Sequence, residues 1–252
     1  MIELMNISVI YNKDTINQYT ALDNVSLKIK EGEFVTIIGG NGAGKSTMMN
    51  VLSGEISVDH GNLKIDNIDV THMMTEERSK WVSRVFQDPM VGTFSSLTLE
   101  ENLALSWNRG KKATFKVMLS LVQKRQIQEV LAEFSLGLEN RLSDPIGLFS
   151  GGQRQAISLL MATRQPSRLL LLDEHTAALD PKMTKMVLNL TEDLAADQKL
   201  TVLMVTHSMS QALSMGNRTI IMDKSKIKIN LTKDKRAHLQ PIDLLRYMEE
   251  SV

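Results

Sequence analysis

Lys45 and Ser46 close the run Gly39-Gly40-Asn41-Gly42-Ala43-Gly44-Lys45-Ser46-Thr47, whose residue types suit one task. A chain of phosphates is held by backbone N–H groups pointing inward, and side chains in the loop would block them. A helix beginning at the end of the loop adds partial positive charge. Lys45 can reach the β- and γ-phosphates, and the Ser46 hydroxyl can ligate Mg²⁺. The spacing, Gly39 then four residues then Gly44-Lys45-Ser46, is that of a P-loop, and its context agrees. The apolar run Phe34-Val35-Thr36-Ile37-Ile38 before it reads as a buried strand; Met48-Met49-Asn50-Val51-Leu52 after it reads as a helix that Gly54 ends. A glycine-rich turn with a chance lysine would not bring both neighbours. The expected ligand is a nucleoside triphosphate.

Two further runs bear on the same chemistry. Ser150-Gly151-Gly152-Gln153 precedes a helix-like segment and offers a hydroxyl and free N–H groups, a second anion cradle. Taken alone it is also an ordinary helix cap. One phosphate chain needs one cradle, whereas a composite site between two subunits would use both. Leu169-Leu170-Leu171-Leu172-Asp173-Glu174 then sets two carboxylates at a strand's C-terminal end. Asp173 suits Mg²⁺, usually through water, and Glu174 suits orienting or deprotonating an attacking water.

The elements that must position these groups can be read from the pattern. Residues 2–9 and 25–29 alternate as half-buried strands, with a polar loop over 12–20. Gly61 to Asp66 is a short strand and turn, 72–82 reads as helix, and Arg84-Val85-Phe86 as a strand end. From Thr98 to about Leu136 the pattern is mainly helical, broken by the basic run Arg109 to Lys112. Residues 88–165 are expected to form a helical subdomain inserted in a single domain over 1–252. Strands follow at 168–172, 200–205, 218–222 and 227–231, with an amphipathic helix over 182–197. Pro241 opens a last helix with Ile242, Leu245 and Met248 on one face.

Composition narrows the class. Lys+Arg and Asp+Glu are both 29, which gives no bulk-charge footprint for nucleic acid. Without cysteine there are neither disulfides nor thiolate zinc sites, and a reducing compartment fits. No apolar run approaches the ~20 residues of a membrane span, so a cytoplasmic protein is expected. The 16 methionines are scattered through apolar segments as core filler.

The order of P-loop, Gln87, Ser-Gly-Gly-Gln, Asp-Glu, Ala178-Leu179-Asp180 and His207 resembles that of the ATP-binding-cassette (ABC) ATPases, over nearly the whole chain from Tyr11. The resemblance implies an α/β fold: a P-loop ATPase core, an N-terminal antiparallel β region and a helical signature subdomain. It implies that Tyr11 stacks on adenine and that Gln87 contacts Mg²⁺ or water and senses a transport partner. Asp180 would link two sites across a head-to-tail homodimer, and His207 would contact the γ-phosphate. Ser150, Gly151, Gly152 and Gln153 would bind the nucleotide on the opposite subunit's P-loop. ATP and Mg²⁺ are the implied cofactors. Integral membrane permease subunits and an extracellular substrate-binding protein are the implied partners, with this chain on the inner face of the membrane.

Taken alone, Tyr11 can equally be a strand-end aromatic and His207 a satisfied core histidine. Met90, Val91 and Phe94 can either pack on the helical subdomain or dock a membrane partner. Phe149 stands where the family's signature has Leu, and His175 where most members have Pro. With Asp173-Glu174-His175-Thr176-Ala177-Ala178-Leu179-Asp180, the signature run resembles a bacterial import subgroup associated with aromatic amino acids. A soluble ABC ATPase of DNA repair, chromosome maintenance or translation is the rival class, but it would need a coiled-coil insertion, zinc cysteines or a second cassette. An efflux or lipoprotein-release ATPase is the nearer alternative.

Overall fold

The computed structural model describes residues 1–107, 119–134, 136–165 and 167–249. In chain order the elements are β1 (Ile2–Tyr11), β2 (Tyr19–Ile29), β3 (Phe34–Gly39), α1 (Lys45–Ser53), β4 (His60–Ile65), β5 (Ile68–Asp69), α2 (Thr75–Arg78) and β6 (Val82–Val85). Then come α3 (Leu99–Trp107), α4 (Leu121–Glu133), α5 (Gly151–Thr163), β7 (Leu169–Asp173), α6 (Pro181–Asp197) and β8 (Val202–Val205). The last are α7 (Met209–Ser214), β9 (Arg218–Asp223), β10 (Lys226–Leu231), α8 (Lys233–Arg236) and α9 (Pro241–Glu249).

The chain divides into two compact units. The first, Met1–Arg84 with Ser167–Glu174 and Leu194–Val252, holds two sheets. The antiparallel one has the order β2-β1-β4-β5, its alternating pattern burying Ile2, Leu4, Ile7 and Val9 on one side. The second sheet has the order β10-β9-β3-β8-β7-β6, with β9, β3, β8 and β7 mutually parallel. Its inner strands are continuous apolar runs, as strands covered on both faces must be: all of β3 and β8 is buried. Met48, Met49, Val51 and Leu52 of α1 join that core.

The second unit, Val85–Pro166 with His175–Asp193, takes in most of α6 as well as the range 88–165 singled out by the sequence pattern. Its own core gathers Leu99, Leu103, Leu131, Leu138, Ile146, Phe149 and Ile157. Phe149 is buried there with the Arg141 guanidinium 4.2 Å over its ring, which accounts for an aromatic at that position.

Several sequence expectations give way. The helix expected over 72–82 is only the four residues of α2, and Val82 already belongs to β6. Arg78 is its last residue, and the buried guanidinium bonds the carbonyls of Val51, Leu52 and Thr71. Just beyond, the Trp81 carbonyl accepts from Arg168 and Leu169 N–H, which commits the chain to the sheet. The polar loop is shorter than read, since Tyr19 and Thr20 open β2. On α9 the inward residues are Leu244, Tyr247 and Met248, while Ile242 and Leu245 are 52% and 40% exposed. The basic break at 109–112 lies outside the described residues.

Candidate active site

Three parallel neighbours, β3, β8 and β7, deliver the chemical groups at the same end of the sheet. The glycine loop follows β3, His207 follows β8, and Glu174 follows β7 directly. A pocket of about 210 Å³ opens there, lined by Asn41, Gly42, Ala43, Gly44, Lys45, Ser46, Thr47, Glu174 and His207, together with Tyr19 and Ala21. The lining is drawn from the first unit alone.

The loop's glycines separate by role. At Gly44 φ is +99°, and a Cβ would stand 2.6 Å from the Ala21 carbonyl oxygen, so the backbone itself requires glycine. At Gly40 a Cβ would meet nothing within 4 Å, so packing does not explain a glycine there. Lys45 is buried and its Nζ donates to the carbonyls of Gly39 at 2.8 Å and Gly40 at 2.9 Å. Burial pushes its ammonium below the usual lysine range, against the pull of Glu174 and Asp173. A polyphosphate would supply the missing countercharge, and a loop of bare backbone at a helix N-terminus is built to take one.

Glu174 carries the strain of the site. Its φ is +48°, left-handed and uncommon for a side chain of that size, and its N–H is held by the Val205 carbonyl at 3.0 Å. His207 Nε2 lies 2.6 Å from Glu174 Oε1. Asp173, the last residue of β7, is bonded to Arg84. Among the described residues no three His, Asp or Glu side chains are placed to hold a metal by themselves. Mg²⁺ would be compatible with such a site, since it binds through one or two protein oxygens together with phosphates and water.

Tyr11 does not line the pocket. It packs against the core, with its ring centroid 5.2 Å from that of Tyr19, which is 55% exposed on the lining. Tyr19 falls within the stretch whose composition reads as a polar loop; its place opening an alternating strand is the available signal.

The remaining predicted residues belong to the second unit. Gln87 is exposed. Ser150 is an exposed cap: its Oγ accepts from Gln153 N–H at 3.3 Å, and its N–H donates to Gln153 Oε1 at 3.0 Å. Gly151 is open, whereas a Cβ on Gly152 would lie 3.1 Å from Met183 Cβ and closer still to the rest of that side chain. Asp180 caps α6, accepting from the N–H groups of Lys182 and Met183. His175 is fully buried, and burial pushes its imidazole down to about 4. Its Nε2 meets Thr191 Oγ1 at 3.2 Å. That hydroxyl already donates to the Val187 carbonyl at 2.7 Å, so His175 must donate, which fixes the neutral tautomer with its proton on Nε2.

Comparison with known proteins gives a consistent result. The sequence profile of the ABC transporter family matches residues 22–177. The tyrosine transport ATP-binding protein of Clostridioides difficile (strain R20291) is 38% identical over 252 residues, covering all of both chains. The thiamine import ATP-binding protein ThiQ of Escherichia coli (strain K12) is 35% identical over 80% of this chain and 82% of its own. Among solved structures, the dimeric post-hydrolysis state of the ATP-binding cassette MJ0796 bound to ADP and Pi superposes with a TM-score of 0.78. That match is at 30% identity and covers 92% of this chain and 99% of the other. A profile match over more than half the chain and a full-length relative agree with the phosphate loop and the carboxylate at its mouth: the chain belongs to the ABC transporter family, as an ATP-binding subunit with ATPase activity.

Proposed function

We propose that two copies of this protein close head to tail around two ATP-Mg²⁺ and, by hydrolysing them, drive separate membrane permease subunits that import an amino acid. The observation that carries this is the convergence of Lys45, Ser46, Glu174 and His207 on one pocket. Lys45 and the loop N–H groups hold the phosphates, and Tyr11 with Tyr19 offers aromatic surface to the base. Ser46 and Asp173, with Gln87 contributing, would hold Mg²⁺, which would supply neutralisation of charge on the phosphate oxygens. Glu174 takes the proton of the attacking water, and His207 both orients Glu174 and faces the γ-phosphate. Ser150, Gly151, Gly152 and Gln153 of one copy complete the site of the other, and Asp180 links the two.

Amino-acid cargo, with an extracellular binding protein to deliver it, follows the relative named for tyrosine transport. Among the described residues no helix is long and apolar enough to cross a membrane, so the transport path belongs to other chains at whose inner face this one sits. Met90, Val91 and Phe94, exposed in the second unit, suit contact with such a chain, and Phe94 is 59% exposed. The test is purification of the tagged protein from detergent-solubilised membranes. Wild type should bring down permease subunits and show cargo-stimulated ATPase. Phe94→Asp should lose both while the isolated subunit still folds and binds ATP. Recovery of wild type without any membrane protein would refute the transport reading.

A further inference from the structure

Arg84 closes the first unit and played no part in the chemistry read from the sequence. Its guanidinium reaches acceptors on Asp173, Asn50 and Glu55, far from it in sequence. Nη2 donates to Asp173 Oδ2 at 2.6 Å. Nη1 donates to Asn50 Oδ1 at 2.7 Å and to Glu55 Oε1 at 2.9 Å. The Arg84 and Asp173 side chains are only 10% and 16% exposed, so water competes little for these bonds.

The placement of the acceptors gives the arrangement meaning. Asp173 is the last residue of β7, and Asn50 stands on α1 about one turn past Ser46. The two groups read as holding Mg²⁺, the Ser46 hydroxyl and the Asp173 carboxylate, therefore come from different elements that one guanidinium ties together. We propose that Arg84 is a positioning residue for the Mg²⁺ site, fixing the Asp173 carboxylate against α1 and so against Ser46. The proposal rests on the reading of Ser46 and Asp173 as the metal-holding pair.

Two effects of Arg84 oppose each other. Its charge repels a divalent cation, while its bonds orient a carboxylate that would hold one. Glu55 on the other nitrogen offsets the charge, so orientation should prevail. The fork shape is essential, because a lysine ammonium is a point charge and cannot span Asp173 and Asn50 in fixed geometry.

The experiment measures binding rather than turnover. Calorimetry gives the affinity for the non-hydrolysable analogue AMP-PNP in Mn²⁺ and in EDTA, and the ratio reports the metal's contribution. In Arg84→Met that ratio should fall by about tenfold or more, the usual cost of losing a group that orients a metal ligand, with the EDTA affinity changed less than about twofold. Arg84→Lys should fall nearly as far, and Asn50→Ala, which cuts only the helix end of the tie, should fall part of the way. A wild-type ratio in Arg84→Met or Arg84→Lys, or a raised one, overturns the proposal. If Arg84→Met does not fold, Asn50→Ala decides, and a wild-type ratio there overturns it equally. Asp173→Asn separates the two levels of the argument. If it loses the Mn²⁺ advantage while the Arg84 variants keep it, only the tie is wrong. If it keeps the advantage, Asp173 does not hold the metal, and the site reading fails along with the tie.

Discussion

His207 Nε2 and Glu174 Oε1 meet at 2.6 Å, each just past the end of one of two adjacent parallel strands. The contact restrains the carboxylate through Oε1, and in the proposed reaction Oε2 would take the water. Glu174→Gln keeps an oxygen for His207 but removes the proposed base. Hydrolysis should fall by about 10²–10⁴, the usual range for a positioned general base, while ATP binding persists. With its product unable to form, the closed dimer should accumulate, and light scattering with ATP should report twice the monomer mass. Glu174→Gln with Ser150→Arg should stay monomeric, because the composite site is blocked. Normal hydrolysis by Glu174→Gln would refute the base assignment.

The proposal that Tyr19 shares the base contact with Tyr11 can be tested residue by residue. Tyr19→Ala should weaken ATP binding several-fold, since an aromatic contact is worth on the order of 1 kcal/mol. Tyr11→Ala should weaken it too and also lower stability, because that ring packs against the core. Tyr11→Phe and Tyr11→Trp should do neither. ATP affinity unchanged in both alanine variants would remove the pair from the site.

Gly151 and Gly152 should part company. Gly151→Ala meets open space, so its thermal midpoint should hold or rise slightly, as alanine is the better helix former. Gly152→Ala drives a Cβ into Met183 and should destabilise by roughly 1–3 kcal/mol, the usual cost of overpacking. Equal melting curves would mean that the close approach of α5 to α6 at Gly152 is readily relieved.

His175 predicts an acid sensitivity. Folded, it protonates only near 4, against an ordinary value of 6.5. As pH falls below 6.5 the unfolded chain takes up this proton first, so stability drains between pH 6.5 and 4 and levels off below. The whole loss is on the order of 3 kcal/mol. Urea denaturation of wild type and His175→Asn at pH 7 and pH 5 should show the variant losing less on acidification. Equal losses would mean that the imidazole is protonated in the folded state.

The phosphate loop was legible because its chemistry demands unusual residues at fixed spacing, flanked by a strand and a helix of plain pattern. The strand ending at Asp173, with Glu174 after it, was legible from its four leucines. Arg84 was not legible: its acceptors, Asn50 and Asp173, lie far off in sequence, and an arginine in a short strand looks like any solvated side chain. The helix expected over 72–82 stops at Arg78 in a setting equally hidden from the local pattern, where the guanidinium reaches the carbonyls of Val51 and Leu52 on α1 and Val82 pairs into the sheet. On α9 the spacing of Ile242, Leu245 and Met248 was helical, but periodicity fixes a face only up to rotation. The contacts with α7 chose Leu244 and Tyr247 instead.

The central strands have a bearing on how far this protein can vary. Ile37 of β3 and Asp173 of β7 both pair with Val205 of β8, so one line across the sheet indexes the loop, the carboxylates and His207. Sliding β8 by a single residue would carry His207 about 3.3 Å along and turn it to the opposite face. Exchange of one apolar side chain for another within these strands leaves that index intact. An inserted residue between Val202 and Val205 would not, whereas one in the turn at Gln198–Leu200 can be absorbed before the count begins. The distances between the reacting groups are thus stored in the backbone pairing of three buried strands, beyond the reach of most substitutions around the pocket itself.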